Sequence, residues 1–472
     1  MTDSDRHDAT GNVYSIPPEI WCKVFMFGKA MTDDLDDYTN EESARHPKWA
    51  FHLIVSHSFS YFRQIALSSP QLWTSIQIDS ICSFNWLLMV MERNGSLDLD
   101  INIELTTDQH LIDKAELALS MDIVNLQCHR WRSLIFTCDK EYRGGQAIVK
   151  RLCDISVPRL QHLSLDVMDI ERLNPDAIHR DVRAGQIFQG PTPHLAFVRL
   201  RGFALHMFRP QLGFVVTLHL DQTKHLPLPY STFYQILTCS LCLAHLSIYG
   251  DIIDPVSWHV RRDPIPIPNL RSLRIRSSDG DIYSGILMAI DAPFLESLTI
   301  KELQEGDLDP LWQSGDYTKF SNVKHLAFIE FEPSTATYRQ FFTIFPAVIF
   351  FSSWAYCSES ILMKILTRGS LTRTIGTNAD GYFVPWPQLR ELTFPFADEE
   401  GDYEDFDKFL ESRRQVGFPI SKIHLEVAPE DHPIELSQSE ESRGILEEAE
   451  NFCGKAIWPL NRVLVDPHYN LF

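Results

Sequence analysis

A short pattern of apolar positions, spaced apolar-x-x-apolar-x-apolar, recurs through the middle of the chain. Its last two positions are two residues apart, and such residues face the same side of a β-strand. The pattern therefore predicts a series of short strands that present their apolar side chains to one core. The nine clear copies are Leu160/Leu163/Leu165, Leu195/Val198/Leu200, Val215/Leu218/Leu220, Leu243/Leu246/Ile248, Leu270/Leu273/Ile275, Leu295/Leu298/Ile300, Val323/Leu326/Phe328, Leu389/Leu392/Phe394 and Ile420/Ile423/Leu425.

Other features fix the register of these copies. A weaker copy, Trp131/Leu134/Phe136, precedes them, and there is room for a degenerate one around Val348 to Phe351. Five copies have a proline two residues before their first apolar position (Pro158, Pro193, Pro268, Pro293 and Pro387). Proline has no N–H, so it belongs at or before the first residue of a strand. We expect one stacked core column, formed by Leu163, Val198, Leu246, Leu273, Leu298, Leu326 and Leu392.

This arrangement resembles a degenerate leucine-rich repeat, in which no copy buries its own apolar face and stacked copies share a continuous core. The Asn or Cys that the family places after the strand is missing, since no Asn follows Leu165, Leu200 or Ile275 at a common offset. The resemblance implies an α/β fold, with a solenoid of short parallel strands and helical or irregular returns over residues 131–427. The alternative is an α/β domain whose strands share the pattern by chance.

Two apolar blocks with helical spacing, Ser15 to Phe25 and Val55 to Trp73, precede the repeats. In the first, Ser15 is placed to cap a helix with prolines in its first turn, a favourable N-terminal arrangement. The second has Phe59, Phe62, Ala66 and Leu67 on one face and ends before a proline. Because two or three short helices bury little area alone, an apolar face remains for a partner.

The two blocks resemble an F-box of the form frequent in mushroom-type fungi. The chain departs from that form at Ile16, Phe59 and Phe62, which stand where the family has Leu, often Cys and usually Trp, yet all three are apolar. The resemblance implies docking onto a Skp-type adaptor and, through it, a cullin; the alternative is an ordinary helical cap on the repeats. The implied docking residues are Ile16, Pro17, Pro18, Ile20, Val24, Phe25, Val55, Phe59, Phe62 and Ile65.

These patterns predict an order of segments along the chain. Residues 1–12 are expected to be disordered, and 13–75 to form the F-box, with an acidic insertion at about 31–47. Alternating apolar residues from Leu97 to Leu105, and helical spacing from His110 to Gln127, predict a connecting strand and helix within 76–130. After the repeats, residues 428–472 are expected to be an acidic tail and a C-terminal cap.

The hydrophobic content is that of a folded protein, and the net charge excludes some classes of binding partner. The 472 residues are 44% hydrophobic and carry a net charge of −21, so repulsion argues against nucleic acid and anionic membranes as partners. The acidic excess is compatible with solubility alone or with attraction of a basic partner. Nine cysteines lie scattered without a framework, which indicates reduced thiols inside the cell, in the cytoplasm or nucleus.

Catalytic and metal-binding motifs are absent from the sequence. Cys239 and Cys242 have the spacing of half a zinc site, but no second Cys or His pair accompanies them, and we interpret them as two buried thiols. His162, His219, His245 and His325 occupy repeat positions that face either solvent or a ligand. No metalloprotease, P-loop, hydrolase or dinucleotide-binding motif occurs, so we expect no cofactor and no enzymatic activity.

Three function hypotheses remain at this point. The first is a substrate receptor of a ubiquitin ligase, whose helices dock the adaptor while the repeats bind an unknown protein target. The second keeps adaptor binding but makes the repeats a scaffold, with no target degraded. The third is a parallel β-helix enzyme, which would need aligned acidic residues or histidines on one strand face and usually a secretion signal.

Overall fold

The computed structural model gives the chain a mixed α/β fold dominated by parallel strands. Among the described residues, 13–167 with 187–195 form one compact unit, the N-terminal unit, and 196–448 form another, the C-terminal unit. The described residues are 13–35, 51–78, 83–105, 114–138, 151–167, 187–221, 227–252, 258, 264–277, 280–316, 318–329, 331, 333–354, 366, 384–395, 402–426 and 446–448. The predictions for residues 1–12, for 36–47 and for most of 428–472 lie outside them. Residues 31–35 of the expected acidic insertion are not an insertion, because they form the last turn of the first helix, Pro18–Leu35.

The N-terminal unit combines short helices with strands that each pair in parallel with the next along the chain. Its helices are α1 Pro18–Leu35, α2 Phe51–Ser58, α3 Ser60–Leu67, α4 Phe84–Arg93 and α5 Lys114–Asn125. Its strands are β1 Ser75–Ile78, β2 Leu99–Leu105, β3 Trp131–Cys138 and β4 His162–Val167. Three 3-10 turns, Val13–Ser15, Pro70–Trp73 and Cys128–Arg130, complete it.

The parallel ladder begins earlier than the repeat pattern predicted. The expected strand and helix of 76–130 are present as β2 and α5, but β2 is not a connector, because it pairs with β3. A further strand, β1, pairs with β2 and aligns Ile76 with Ile101. With only two buried apolar positions, β1 is too short to be recognised from its alternation.

A buried arginine just before β3 bonds to the turn between α4 and β2. The Arg130 guanidinium donates to Asn94 Oδ1 at 3.1 Å, to the Gly95 carbonyl at 2.6 Å and to the Leu97 carbonyl at 2.9 Å. These acceptors form the turn between α4 and β2, where Gly95 has a φ of 62°, a left-handed conformation that glycine adopts without strain. The arginine thus satisfies the turn's carbonyl groups in the interior.

The C-terminal unit repeats a strand followed by a helical or irregular return. Its strands are β5 Phe197–Gly202, β6 Thr217–Asp221, β7 His245–Tyr249, β8 Ile265–Pro266, β9 Ser272–Arg276, β10 Ile290–Asp291, β11 Ser297–Lys301, β12 His325–Ile329, β13 Phe350–Trp354, β14 Glu391–Pro395, β15 Lys422–Glu426 and β16 Leu446–Glu448. Its helices are α6 Ala204–Met207, α7 Tyr230–Cys239, α8 Gly280–Ala289, α9 Asp309–Gln313, α10 Thr335–Ile344 and α11 Asp402–Gln415. Strands β8 and β10 form a separate parallel pair.

The predicted core column is confirmed within this unit. Strand pairing aligns Val198, Leu218, Leu246, Leu273, Leu298, Leu326, Phe351, Leu392 and Ile423 as successive partners, and each is at most 1% exposed. The degenerate copy expected near Phe351 is the strand β13. Leu163 occupies the equivalent position in the N-terminal unit, where it pairs with Leu134.

A recurrent turn before each strand explains the prolines. The backbone N–H of Leu270 donates to the Ile267 carbonyl at 3.2 Å, and Leu295 donates to Ala292 in the same way at 3.1 Å. Pro268 and Pro293 thus lie at the second position of a four-residue turn, where their fixed φ fits. Proline acts here as a turn residue just ahead of the strand.

Asparagines at the next turn position link one repeat to its neighbour. Asn269 Nδ2 donates to the Leu241 carbonyl at 2.9 Å, and Asn322 Nδ2 donates to the Pro293 carbonyl at 2.7 Å. These asparagines precede their strands, whereas the leucine-rich-repeat pattern has one after the strand. In at least two repeats an asparagine therefore donates to a turn carbonyl of the preceding repeat. This asparagine lies before the strand, and not after it as in the leucine-rich-repeat pattern.

Candidate functional site

Helix α1 is the first element of the candidate site. It begins at Pro18, with Glu19 in its first turn, and the N–H groups of Ile20 and Trp21 donate to the Pro17 carbonyl. Proline needs no hydrogen-bond acceptor at the first helical position, and an acidic residue there suits the helix dipole. The prediction that Ser15 caps this helix was wrong, because Ser15 ends a separate 3-10 turn.

One face of α1 carries exposed apolar side chains. Ile20, Val24 and Phe27 are 47%, 48% and 68% exposed, and their spacing of four and three residues places them on one helix face. Ile16, 37% exposed, lies just before the helix. We call Ile16, Ile20, Val24 and Phe27 the α1 stripe. Phe27 was missed by the sequence reasoning, although it continues the same helical spacing.

The neighbouring face of α1, about 100° around the helix from the stripe, packs on α3 through aromatic rings. The Trp21 and Phe25 ring centroids lie 4.6 Å and 5.0 Å from that of Phe62, and the Phe59 ring lies 4.0 Å from Phe62. Phe62 is therefore half-buried, whereas Phe59 remains 37% exposed at the edge of the cluster. These contacts hold α1 with its stripe turned outward.

The structure divides the ten predicted docking residues into two groups. Ile16, Pro17, Pro18, Ile20, Val24 and Phe59 are exposed, and Phe62 is half-buried beside them. Phe25, Val55 and Ile65 are only 4%, 6% and 4% exposed, so they form the interior of the helical unit. The sequence pattern did not separate the two faces, because both faces of α1 carry apolar side chains.

A close contact between α1 and α2 and a buried histidine stabilise this group of helices. A Cβ atom on Gly28 would lie 2.4 Å from the Phe51 ring, so glycine at position 28 lets this ring pack against the backbone of α1. His52 of α2 lies between Trp73 and Trp86, with ring centroids 4.7 Å and 6.0 Å away. Burial, with smaller contributions from the positive charges of Lys29 and Arg93, lowers the pKa of His52 from 6.5 to about 4. His52 is thus neutral near pH 7.

Trp73 contacts both α3 and α4. Its indole Nε1 donates to the Ala66 carbonyl at 2.8 Å, and the Arg93 guanidinium lies 4.5 Å from its ring centroid. Trp73 is fully buried. The α1 stripe is therefore carried by a well-packed group of helices, even though the stripe itself is uncovered.

The strands of the C-terminal unit present polar residues on the face opposite the leucine column. The pairing register places Arg199, His219, Ser247, Arg274 and Thr299 in one row and Arg201, Asp221, Tyr249, Arg276 and Lys301 in the next. The first row is buried, whereas Arg201, Tyr249, Arg276 and Lys301 are partly exposed. The arginines were missed, because their alternation with leucine is also typical of any half-exposed strand.

The predicted histidines alternate with the leucines of their strands, His162 in the N-terminal unit and His219, His245 and His325 in the C-terminal unit, and they are not gathered into a site. His162 and His219 are buried, His245 is half-buried and His325 is exposed at the start of β12. Burial lowers the pKa of His245 and that of His325. They belong to different strands and, among the residues that the structure describes, no three His, Cys, Asp or Glu side chains are placed to hold a metal ion.

The exposure of Cys239 and Cys242 differs from the prediction. Both are exposed, so the prediction of two buried thiols was wrong. Helix α7 buries Phe233, Ile236 and Leu237, and its last residue, Cys239, lies off that face. Cys242 belongs to the turn before β7, with its side chain outside the core.

A polar cavity of about 410 Å³ lies beside the segments that precede β11 and β12. Lys319 lines it together with Asp291 and Asp316, and its ammonium group donates to the Met288 carbonyl at 3.0 Å. Burial lowers the pKa of Lys319 to about 8, although the two carboxylates oppose that shift. The ammonium is already bonded and balanced by acidic neighbours, so the arrangement is satisfied without a ligand.

No family model matches the chain, and no curated protein is significantly similar to it in sequence. Within the described part of the chain, no helix combines the length and apolar character needed to cross a membrane.

Proposed function

We propose that the chain is a non-catalytic substrate-recognition subunit of a ubiquitin ligase of the Skp-cullin-F-box type. Helices α1 to α3 dock the adaptor, and the repeats of the C-terminal unit bind the target protein. The observation that carries the proposal is the α1 stripe, four apolar side chains left uncovered on an otherwise well-packed helical group. Its position agrees with the start of the F-box resemblance in the sequence.

The stripe has the composition expected of a protein-binding surface. Complete burial of a Val, Ile or Phe side chain stabilises a complex by about 1.5–3 kcal/mol each, before the cost of association. Lys23, which is exposed on α1 next to Val24, supplies a polar neighbour. An apolar centre with a polar rim is the usual anatomy of an interface.

The parallel register of the C-terminal unit supports the second half of the proposal. Successive strands repeat the same buried positions, which is what a leucine-rich-repeat-like solenoid requires. Such a receptor makes or breaks no bond itself. It holds the target close to the ubiquitin-loading machinery and thereby raises the effective concentration of target lysines.

Co-purification with a Skp-type adaptor tests the proposal. We expect the double substitution Ile20→Asp and Val24→Asp to abolish capture of the adaptor, because two carboxylates would be buried without partners, each at a cost of several kcal/mol. Leu126→Asp is the matched control, since Leu126 is 75% exposed in the same unit but away from the stripe. Capture by the double variant at the wild-type level would contradict the assignment.

A further assay separates a receptor from a scaffold. If capture by wild type is confirmed, proteins bound to the C-terminal unit should gain ubiquitin when the adaptor, cullin and charged conjugating enzyme are supplied. Stable binding without any ubiquitin transfer would favour the scaffold.

A further inference from the structure

Asn94 and Gly95 form the single Asn-Gly dipeptide of the sequence. In an unstructured chain this dipeptide deamidates without an enzyme. The backbone nitrogen of the glycine attacks the side-chain carbonyl carbon of the asparagine, and ammonia leaves as a five-membered succinimide ring closes. Water then opens the ring to aspartate or isoaspartate. Glycine favours the reaction, because it has no side chain to obstruct the approach and its backbone rotates freely.

The dipeptide lies in the buried turn between α4 and β2. Asn94 is fully buried and follows the last residue of α4, where its backbone N–H donates to the Val90 carbonyl at 3.0 Å. The Asn94 carbonyl accepts a hydrogen bond from the Leu97 N–H at 3.3 Å. Both backbone groups of Asn94 are thus bonded, so the residue rotates only if these bonds break.

The backbone conformation of Asn94 opposes ring closure. Its φ is −73° and its ψ is −13°. The angle ψ relates the backbone nitrogens of Asn94 and Gly95 about the Cα–C bond, so a value near zero turns the Gly95 nitrogen toward the backbone nitrogen of Asn94. Closure of the ring requires the Gly95 nitrogen to lie instead beside Cβ of Asn94. The turn therefore has to open before the reaction can begin.

Arg130 holds the side chain of Asn94 in this conformation. Its Nη1 and Nη2 atoms both donate to Asn94 Oδ1 at 3.1 Å, while Nη1 also donates to the Gly95 and Leu97 carbonyls. One guanidinium thus bonds the reactive amide and the backbone of the turn that would have to move. Donation to Oδ1 also polarises the amide carbonyl, which by itself favours attack, so the protection is geometric and not electronic.

We propose that Asn94–Gly95 is a latent deamidation site, which Arg130 keeps closed in the folded chain and which converts to aspartate or isoaspartate when the turn between α4 and β2 opens. The reaction consumes one water molecule and releases one ammonia molecule. It requires no enzyme, metal ion or oxidant. The inference is independent of the proposed function, because neither an adaptor nor a target protein takes part.

The two products differ in their effect on the turn. Aspartate would place a carboxylate where the Asn94 amide oxygen now meets the Arg130 guanidinium, so an ion pair would form in nearly the same geometry. Isoaspartate adds a methylene group to the backbone just before Gly95, whose φ of 62° belongs to the present turn. We therefore expect isoaspartate to leave the end of α4 loosened, as a permanent record that the turn has opened.

Peptide mass spectrometry of the purified full chain, incubated at mildly alkaline pH, measures the reaction. The folded chain is compared with the chain unfolded in guanidinium chloride and with a synthetic peptide of residues 91–98. We expect the peptide and the unfolded chain to deamidate at similar rates. The folded chain should react at least about tenfold more slowly, because the reaction then waits for local opening. Equal rates in the folded chain and the peptide would overturn the inference.

Arg130→Met and the matched control Arg132→Met locate the protection. Methionine keeps an unbranched side chain but donates no hydrogen bond, and Arg132 pairs instead with Asp100 of β2. We expect Arg130→Met to raise the rate in the folded chain about tenfold or more, the effect of losing charge-assisted hydrogen bonds. Arg132→Met should keep the wild-type rate.

Circular dichroism shows whether each variant is folded. If Arg130→Met is unfolded, Arg130→Lys takes its place, because a single ammonium nitrogen cannot bond Asn94 Oδ1 and both carbonyls with the geometry of a guanidinium. A wild-type rate in the folded Arg130 variant, or an equal rise in Arg132→Met, would overturn the role of Arg130.

Discussion

The α1 stripe and the partly exposed row of Arg201, Tyr249, Arg276 and Lys301 face away from the core for different physical reasons. The stripe belongs to a helix whose other face already packs against Phe62, so its four apolar side chains remain without a core to join. The row belongs to strands whose other face forms the leucine column, so the alternate positions face away from that core. The first surface is suited to an apolar contact, whereas the second has charges that interact within the chain, as Arg276 does with Glu302.

The comparison also predicts that each surface depends on the packing of its own unit. The stripe is supported by an aromatic cluster in the N-terminal unit, whereas the row is supported by aligned leucines in the C-terminal unit. Substitutions inside one unit should therefore disturb one surface and spare the other. Two such changes, with their effects on stability, sharpen the distinction.

The larger effect is expected from Leu273→Ala in the leucine column. Leu273 is fully buried between its register partners Leu246 and Leu298, and truncation of a buried leucine costs about 2–5 kcal/mol. Because each repeat contacts mainly its neighbours, hydrogen exchange should accelerate first in β7, β9 and β11 and leave the N-terminal helices protected. Leu241→Ala is the control, since Leu241 is 70% exposed.

Adaptor capture completes this experiment. The Leu273→Ala variant should still capture the adaptor. Uniform loss of protection from end to end, or none anywhere, would mean that the repeats do not behave as a stack.

The next effect, of up to about 3 kcal/mol, concerns the N-terminal unit at acid pH. The pKa of His52 is about 4 in the folded state, against an ordinary value of 6.5 for a solvated histidine. Between these values the unfolded chain binds more protons, so the folded state loses stability as the pH falls from about 6.5 to 4. Unfolding by urea, followed by tryptophan fluorescence at about pH 7 and about pH 5, measures this loss.

His52→Phe provides the control for that pH dependence. Phenylalanine keeps an aromatic ring between Trp73 and Trp86 but does not titrate, so the difference between the neutral and the acidic measurement should shrink. The same pH-dependent loss in His52→Phe would assign it to other groups.

The sequence predicted the buried positions better than the exposed ones. The register of Leu246, Leu273 and Leu298 follows from a pattern in which every copy obeys the same packing constraint. Exposure is not periodic in this way: Phe25 and Phe27 are both apolar and two residues apart, yet one is 4% and the other 68% exposed. Only the packing of α1 on α3 decides which is buried.

Other features were not predicted for the same reason, since each depends on contacts between elements. The strand β1 offered only Ile76 and Ile78 as apolar positions, and its assignment depends on pairing with β2. The exposure of Cys239 depends on which face of α7 meets the core, and that of Cys242 depends on the turn before β7. Asn269 and Asn322 were overlooked because their acceptors lie in a neighbouring repeat, 28 and 29 residues away along the chain.

Hydrogen exchange of the full chain with and without a purified Skp-type adaptor tests the central claim most directly. The account predicts that the adaptor slows exchange in α1 and α3, around Ile20, Val24 and Phe62, while the strands of the C-terminal unit exchange at their unliganded rates. Protection confined to those strands, or no change anywhere at saturating adaptor, would contradict it.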